Sequence, residues 1–110
     1  MSVIEEIAAE RKRQIEVEGW TAEHDDQHTL SQMAKAACSY CESAAYSPLF
    51  CRIPGHAFAV PRRWPHDWSL DWWKPTTERC DLIKAAALIV AEVERLDRAA
   101  LRALAREDRG

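Results

Sequence analysis

Apolar residues recur every three to four positions in three separate stretches of the chain, and that spacing predicts three helices. In the first, from about Val3 to Val17, Ile4, Ile7, Ala8 and Ile15 share one face. Ser2 stands where an N-cap belongs, and Glu5 and Glu6 occupy the first turn, where the helix dipole favours negative charge. Gly19 is a natural terminator. Arg11 projects onto the same apolar face, with Glu18 near it, and a charge on a packing face needs a partner or a ligand.

The second helix is expected from about Ser31 to Tyr46, capped by Thr29 or Ser31. Met33, Ala34, Ala37, Cys38, Cys41, Ala44 and Ala45 give it a smooth face, which permits close helix contact or leaves room for a ligand. The third starts after Pro75, with Thr76 or Thr77 as cap and Glu78 in the first turn, and runs to about Glu107. Leu82, Ile83, Ala86, Ile89, Val90, Val93, Leu96, Ala100 and Leu104 form its continuous packing stripe, with Asp97 inside it. At about 1.5 Å per residue this helix outruns the other two, so its C-terminal end is expected to pack on another subunit. The last residues, from Arg106, are expected to fray.

Between the second and third helices, Ser47 to Pro75 holds all five prolines, so regular helix is not expected there. Short strands around "HAFAV", residues 56–60, would fit. The fold expected is all-α: one domain, 1–110, of three main helices with an irregular Pro- and Trp-rich insertion over 47–75. A connection of that length in a small domain is usually functional.

Bulk composition narrows the function classes. A chain of 110 residues is one domain, and a core this small gains from a second copy. The 47% hydrophobic and 30% charged residues are those of a soluble globular protein. A net charge of −3 argues against a duplex-DNA binder. No apolar run approaches the roughly 20 residues of a membrane span, and "MSVIEEIAAERKRQ" lacks the apolar core of a signal peptide, so a cytoplasmic location is expected. There the four cysteines, Cys38, Cys41, Cys51 and Cys80, should be thiols. Cys38-x-x-Cys41 could open a zinc site, but no second C-x-x-C accompanies it. The plainer reading is small apolar side chains on a packed helix face.

Candidate chemistry lies in the two bends. The first is "EGWTAEHDDQH", Glu18 to His28. Glu23, Asp25 and Asp26 suit Mg²⁺ or Mn²⁺, which take hard oxygen ligands and leave positions for substrate phosphates. His24 or His28 could serve as acid or base, because imidazole titrates near neutrality. Trp20 offers an aromatic wall. The same residues also read as capping chemistry ahead of a helix. The second bend is "PRRWPHDWSLDWWKP", with Trp64, Trp68, Trp72 and Trp73 interleaved with Arg62, Arg63 and Lys74. Indoles stack on nucleobases and the cations meet phosphates, a combination suited to a nucleotide. Trp72 and Trp73, beside the third helix, are expected to complete the core instead. On that helix Asp97 is expected to pair with Arg11 as a buried structural ion pair; the other reading joins Asp97 to a set of metal-binding carboxylates. Phosphate-cradling glycine loops and a G-x-S-x-G elbow are absent from the sequence.

These stretches together, "ERKRQIEVEGWTAEHDD", an alanine-rich helix, "WP…WWKP" and "RCDLIKAAALIVAEVERLDR", resemble small phage and prophage proteins grouped with the MazG-like dATP/dGTP pyrophosphohydrolases. The resemblance covers nearly the whole chain except about Ser47 to Val60. It implies an all-α, often oligomeric, nucleotide-handling fold. Enzymes of that type split a nucleoside triphosphate into monophosphate and pyrophosphate on helix-borne carboxylates that hold Mg²⁺. Their motif is two adjacent glutamates with a third three residues on, then E-x-x-D on a later helix. Here Glu5 and Glu6 are followed by Glu10, one residue late, while Glu94-x-x-Asp97 does read E-x-x-D. The usual metal site is therefore not carried over, and the ligands are placed on Glu23, Asp25 and Asp26 with Glu18 in reach. The spacing of "EGWT", the acids, "KP" and the last helix also resembles ryanodine-receptor-type repeat domains, which implies binding of a nucleotide-like signal. The expected function is thus a Mg²⁺-dependent pyrophosphohydrolase acting on a nucleotide. Two alternatives remain open: a non-catalytic binder, or sponge, for a nucleotide signal, and a protein–protein adaptor whose Trp-rich bend is the interface.

Overall fold

The computed structural model describes residues 1–50 and 62–109, with side chains over 1–45 and 62–109. The chain is all-α, as expected. α1 spans Val3–Glu16, a short α2 Ala22–Asp26, α3 Gln32–Phe50 and α4 Glu78–Arg109, with one 3-10 turn at Leu70–Trp72. No strand occurs among the described residues, and "HAFAV" lies outside them. Among the described residues no helix is long and apolar enough to cross a membrane.

Local chemistry accounts for most helix ends. Ser2 accepts from the Glu5 amide while the Glu5 carboxylate reaches back to the Ser2 amide, a reciprocal pair that satisfies two otherwise orphaned donors of α1. α1 stops before Gly19, whose φ of 78° turns the chain back onto the bundle. Thr21 then caps α2 by accepting from the His24 amide at 3.3 Å. The buried Asp81 holds the approach to α4: its oxygens accept from the Thr76 amide at 2.9 Å and the Ser43 hydroxyl at 3.2 Å. α3 runs four residues beyond its expected end, through Pro48 to Phe50. A proline deep in a helix forfeits one backbone bond but does not forbid the last turn. α4 is continuous to Arg109, beyond the expected fraying point.

The core is aromatic rather than aliphatic. Trp20, Trp64, Trp68 and Trp73 are buried with Tyr40, Met33 and Leu88 against the small residues Ala36, Ala37, Ala85 and Ala91 of α3 and α4. Indoles need volume, and alanine-lined helix faces provide it. Tyr40 fastens the Trp-rich bend to α3, donating to the Trp72 carbonyl and accepting from the Lys74 amide, both at 3.1 Å. Burial pushes the Tyr40 hydroxyl up to about 12, so it stays protonated and able to donate.

Two expected packing faces are corrected by this arrangement. The α4 stripe points outward: Leu82, Ile89, Val93 and Leu96 are each about half exposed, while Asp81, Ala85, Leu88, Ala91, Glu92 and Arg95 face in. On α1, Ile4 is 74% exposed and the buried residue is Gln14. Periodicity located each helix but assigned its apolar side inward, and here the tryptophans had already filled the interior. The expected Arg11–Asp97 pair is also corrected. Arg11 reaches Asp25 at 3.0 Å and Glu94 at 3.3 Å, while Asp97 lies exposed on the outer side of α4.

Candidate functional site

The turn after α1 and the Trp-rich bend meet on one side of the bundle. Gly19 reverses the chain, Trp20 plugs into the core, and the single long turn of α2 then presents His24, Asp25 and, just beyond it, His28. His24 stacks on Trp20 with rings 8° from parallel, and the Trp72 ring stands edge-on to it at 5.9 Å. His28 meets Trp68 edge-on at 5.3 Å. Trp72 is the only one of the five tryptophans that is not buried.

A directed chain of hydrogen bonds runs through these groups. Indole nitrogen can only donate, so the 3.4 Å contact from Trp68 Nε1 makes His28 Nδ1 an acceptor. Neutral His28 then carries its proton on Nε2 and donates it to His24 Nε2 at 3.1 Å. His24 in turn carries its proton on Nδ1 and donates to Asp25 Oδ1 at 3.0 Å. The other oxygen of Asp25 accepts from Arg11 Nη2 at 3.0 Å, and Arg11 Nη1 donates to the Trp20 carbonyl at 3.3 Å. Asp25 is fully buried, and it is tolerated there because a guanidinium and an imidazole N–H share its charge. The chain is consistent only with both imidazoles neutral. Burial, followed by the neighbouring His24, holds His28 below its ordinary pKa, against a smaller upward pull from Asp67 and Asp25.

The acidic residues of the turn do not converge. Glu23 is exposed, Asp25 points in, and Asp26 points toward α4. Asp26 Oδ1 takes Arg98 at 2.9 Å and Oδ2 takes Arg102 at 2.6 Å. Those two arginines, Arg102 first, hold its carboxyl below the usual range. Among the described residues no group of three His, Cys, Asp or Glu side chains is placed to hold a metal ion. Glu18 is likewise engaged, by Arg13 at 3.0 Å and Lys74 at 3.3 Å, with Arg13 the larger cause of its lowered pKa.

The residues singled out for nucleotide contact are divided. Trp20, Trp64 and Trp68 are core residues. Lys74 is exposed and paired with Glu18. Arg62 and Arg63 are exposed, and Arg63 sits 3.7 Å from Glu42 on the far flank of α3. There it lines a shallow hollow of about 470 Å³ with Ala34, Ala37, Cys38, Cys41 and Ile89. Cys38, Cys41 and Cys80 are free thiols, and Cys51 lies outside the described residues. Sequence reasoning placed Trp72 in the core and did not single out Arg98 and Arg102. Their i,i+4 spacing at the end of α4 was the available signal for the latter. No protein-family model, curated protein or solved structure matches the chain.

Proposed function

We propose that the protein binds a nucleotide or nucleotide-derived signal at the His24–His28 side of the bundle, without turning it over. The observation carrying this reading is the meeting of the two bends, which leaves the Trp72 indole partly open beside a neutral imidazole pair. An indole face accepts a base by stacking, at about 1–3 kcal/mol per base. The flanking Arg98 and Arg102 supply N–H donors and positive charge for the polar part. Sequestration is favoured over hydrolysis because all four oxygens of Asp25 and Asp26 already serve cations or an imidazole of the chain.

The pyrophosphohydrolase reading keeps one specific support. Asp25 orients His24 so that the unprotonated Nε2 faces outward from the carboxylate, the arrangement of a general base. On that reading His28 moves aside for a water, and Mg²⁺ or Mn²⁺ arrives with the triphosphate rather than on Glu23, Asp25 and Asp26.

A panel of nucleotides tested by thermal stabilisation and tryptophan quenching, with and without Mg²⁺, decides the matter. Binding that survives a chelator, with the ligand recovered intact, supports the sponge. Pyrophosphate release that disappears in His24→Ala supports the enzyme. Neither quenching nor stabilisation by any nucleotide overturns both and leaves the adaptor.

A further inference from the structure

The last half of α4 sorts its charges by face. Arg95, Arg98, Arg102, Arg106 and Arg109 follow one another at 3, 4, 4 and 3 residues. At about 100° per residue they fall on one strip roughly 80° wide. Asp97, Glu107 and Asp108 fall on the far side of the helix. The strip passes out of the body: Arg95 is buried, Arg98 half-buried, and Arg102, Arg106 and Arg109 exposed. Inside the body each cation has an acid. Arg95 pairs with Glu92, and Asp26 bridges Arg98 and Arg102. Beyond it, Arg106 and Arg109 have no ion-pair partner among the described residues. Like charges three or four apart on a helix repel, so the row costs α4 stability wherever no acid meets it. The helix dipole favours cations in a last turn, but it does not align them with the arginines upstream.

We propose that the outer end of this row, Arg106 and Arg109 with the exposed side of Arg102, docks an acidic helical segment of another protein, whose carboxylates recur every three to four residues. Asp26 shows the fit within the chain: one carboxylate on a neighbouring helix takes two guanidinium groups of the row, at 2.9 and 2.6 Å. All five cations are arginines, whose planar fork matches a carboxylate with paired N–H bonds. Ala99, Ala103 and Ala105 border the row, so a second helix backbone can come close enough for short acidic side chains to reach it. A nucleic-acid strand fits less well. The chain carries a net charge of −3, and the acids on the other faces of the same helix repel a polyanion broader than the strip. Residues 51–61 of the chain contain no acid and cannot be the complement. The proposal does not rest on the nucleotide reading, because Arg106 and Arg109 lie beyond the residues used there.

Fluorescence anisotropy of a labelled peptide, titrated with the full chain at low salt, tests it. The probe is an alanine-rich helical peptide with glutamates three and four residues apart along one face. The control has the same composition with its glutamates spread around the helix. The one-faced peptide should bind at least about tenfold more tightly than the control, and lose at least that factor in the double variant Arg106→Glu, Arg109→Glu. Both side chains are exposed, so helical circular dichroism should stay at the parent's level. Leu101→Gln, on another face of the same stretch, should bind as the parent does. Equal affinity for the two peptides, or affinity unchanged in the double variant, overturns the proposal. A single-stranded oligothymidylate that binds more tightly than the one-faced peptide gives the row to nucleic acid. Self-association that the double variant abolishes gives it to a second copy. Either result also overturns the proposal.

Discussion

Asp25 shows how one residue decides whether a polar turn is a metal site or a structural knot. Its carboxylate is fully buried and divides its oxygens between Arg11 and His24. Removing the cation leaves a buried charge with half its compensation, so Arg11→Met should destabilise the fold by about 3–5 kcal/mol, read from urea unfolding. The double variant Arg11→Met, Asp25→Leu should recover much of that loss, because the orphaned charge goes too. His28 adds a pH dependence of definite sign. Its folded pKa lies below the unfolded value near 6.5, chiefly through burial and then through His24. The unfolded chain therefore binds more protons as pH falls through about 6.5, and this contribution is intact above that pH and lost below it. Geometry supplies the same direction, since protonated His28 would turn an N–H toward the Trp68 N–H. Urea midpoints should fall between pH 7 and pH 5.5, and in His28→Gln that part of the slope should vanish. The sequence showed which residues cluster here. It could not show which carboxylate turns inward, because that depends on where Arg11, Arg98 and Arg102 arrive from distant helices.

At the scale of elements, the readable features were those written in local chemistry. The Ser2–Glu5 cap, the Gly19 stop and the start of α4 after Pro75 all rest on a few adjacent residues, and each was legible. α2 was not, because five residues are too few for an apolar period to register. The faces of α1 and α4 were misread for a different reason. A stripe of leucine, isoleucine and valine reports that a helix packs on something, not on what, and here the alanine-lined side of α4 took the tryptophans. Gly19 lends itself to a clean test. With φ at 78° and nothing within 4 Å of an added Cβ, Gly19→Ala meets backbone strain alone. It should lower stability by about 1–2 kcal/mol, with Gly19→Asn milder because asparagine tolerates the left-handed region. Equal losses for the two variants would show that the chain reversal does not depend on that conformation.

Over the whole molecule, the five tryptophans divide the labour between folding and recognition. Trp20, Trp64, Trp68 and Trp73 contact one another or Tyr40 in a continuous network, with ring centroids 4.8 to 5.6 Å apart along it. This cluster ties the chain after α1, the helix α3 and the bend before α4 into one body, so losing any member opens a cavity where these elements meet. Trp64→Ala should destabilise by about 3–5 kcal/mol, the range for emptying a buried aromatic position. Trp72 lies against the network, 5.8 Å from Trp20 and 5.1 Å from Trp68, but keeps part of its ring in solvent. A smaller area leaves water when it folds, so Trp72→Ala should destabilise by clearly less than Trp64→Ala. If the nucleotide reading holds, the order reverses for binding. Trp72→Ala should lose the nucleotide-induced quench while unfolding in urea near the parent's midpoint. A folded Trp72→Ala protein that binds every nucleotide as tightly as the parent would move the ligand off this side of the bundle altogether.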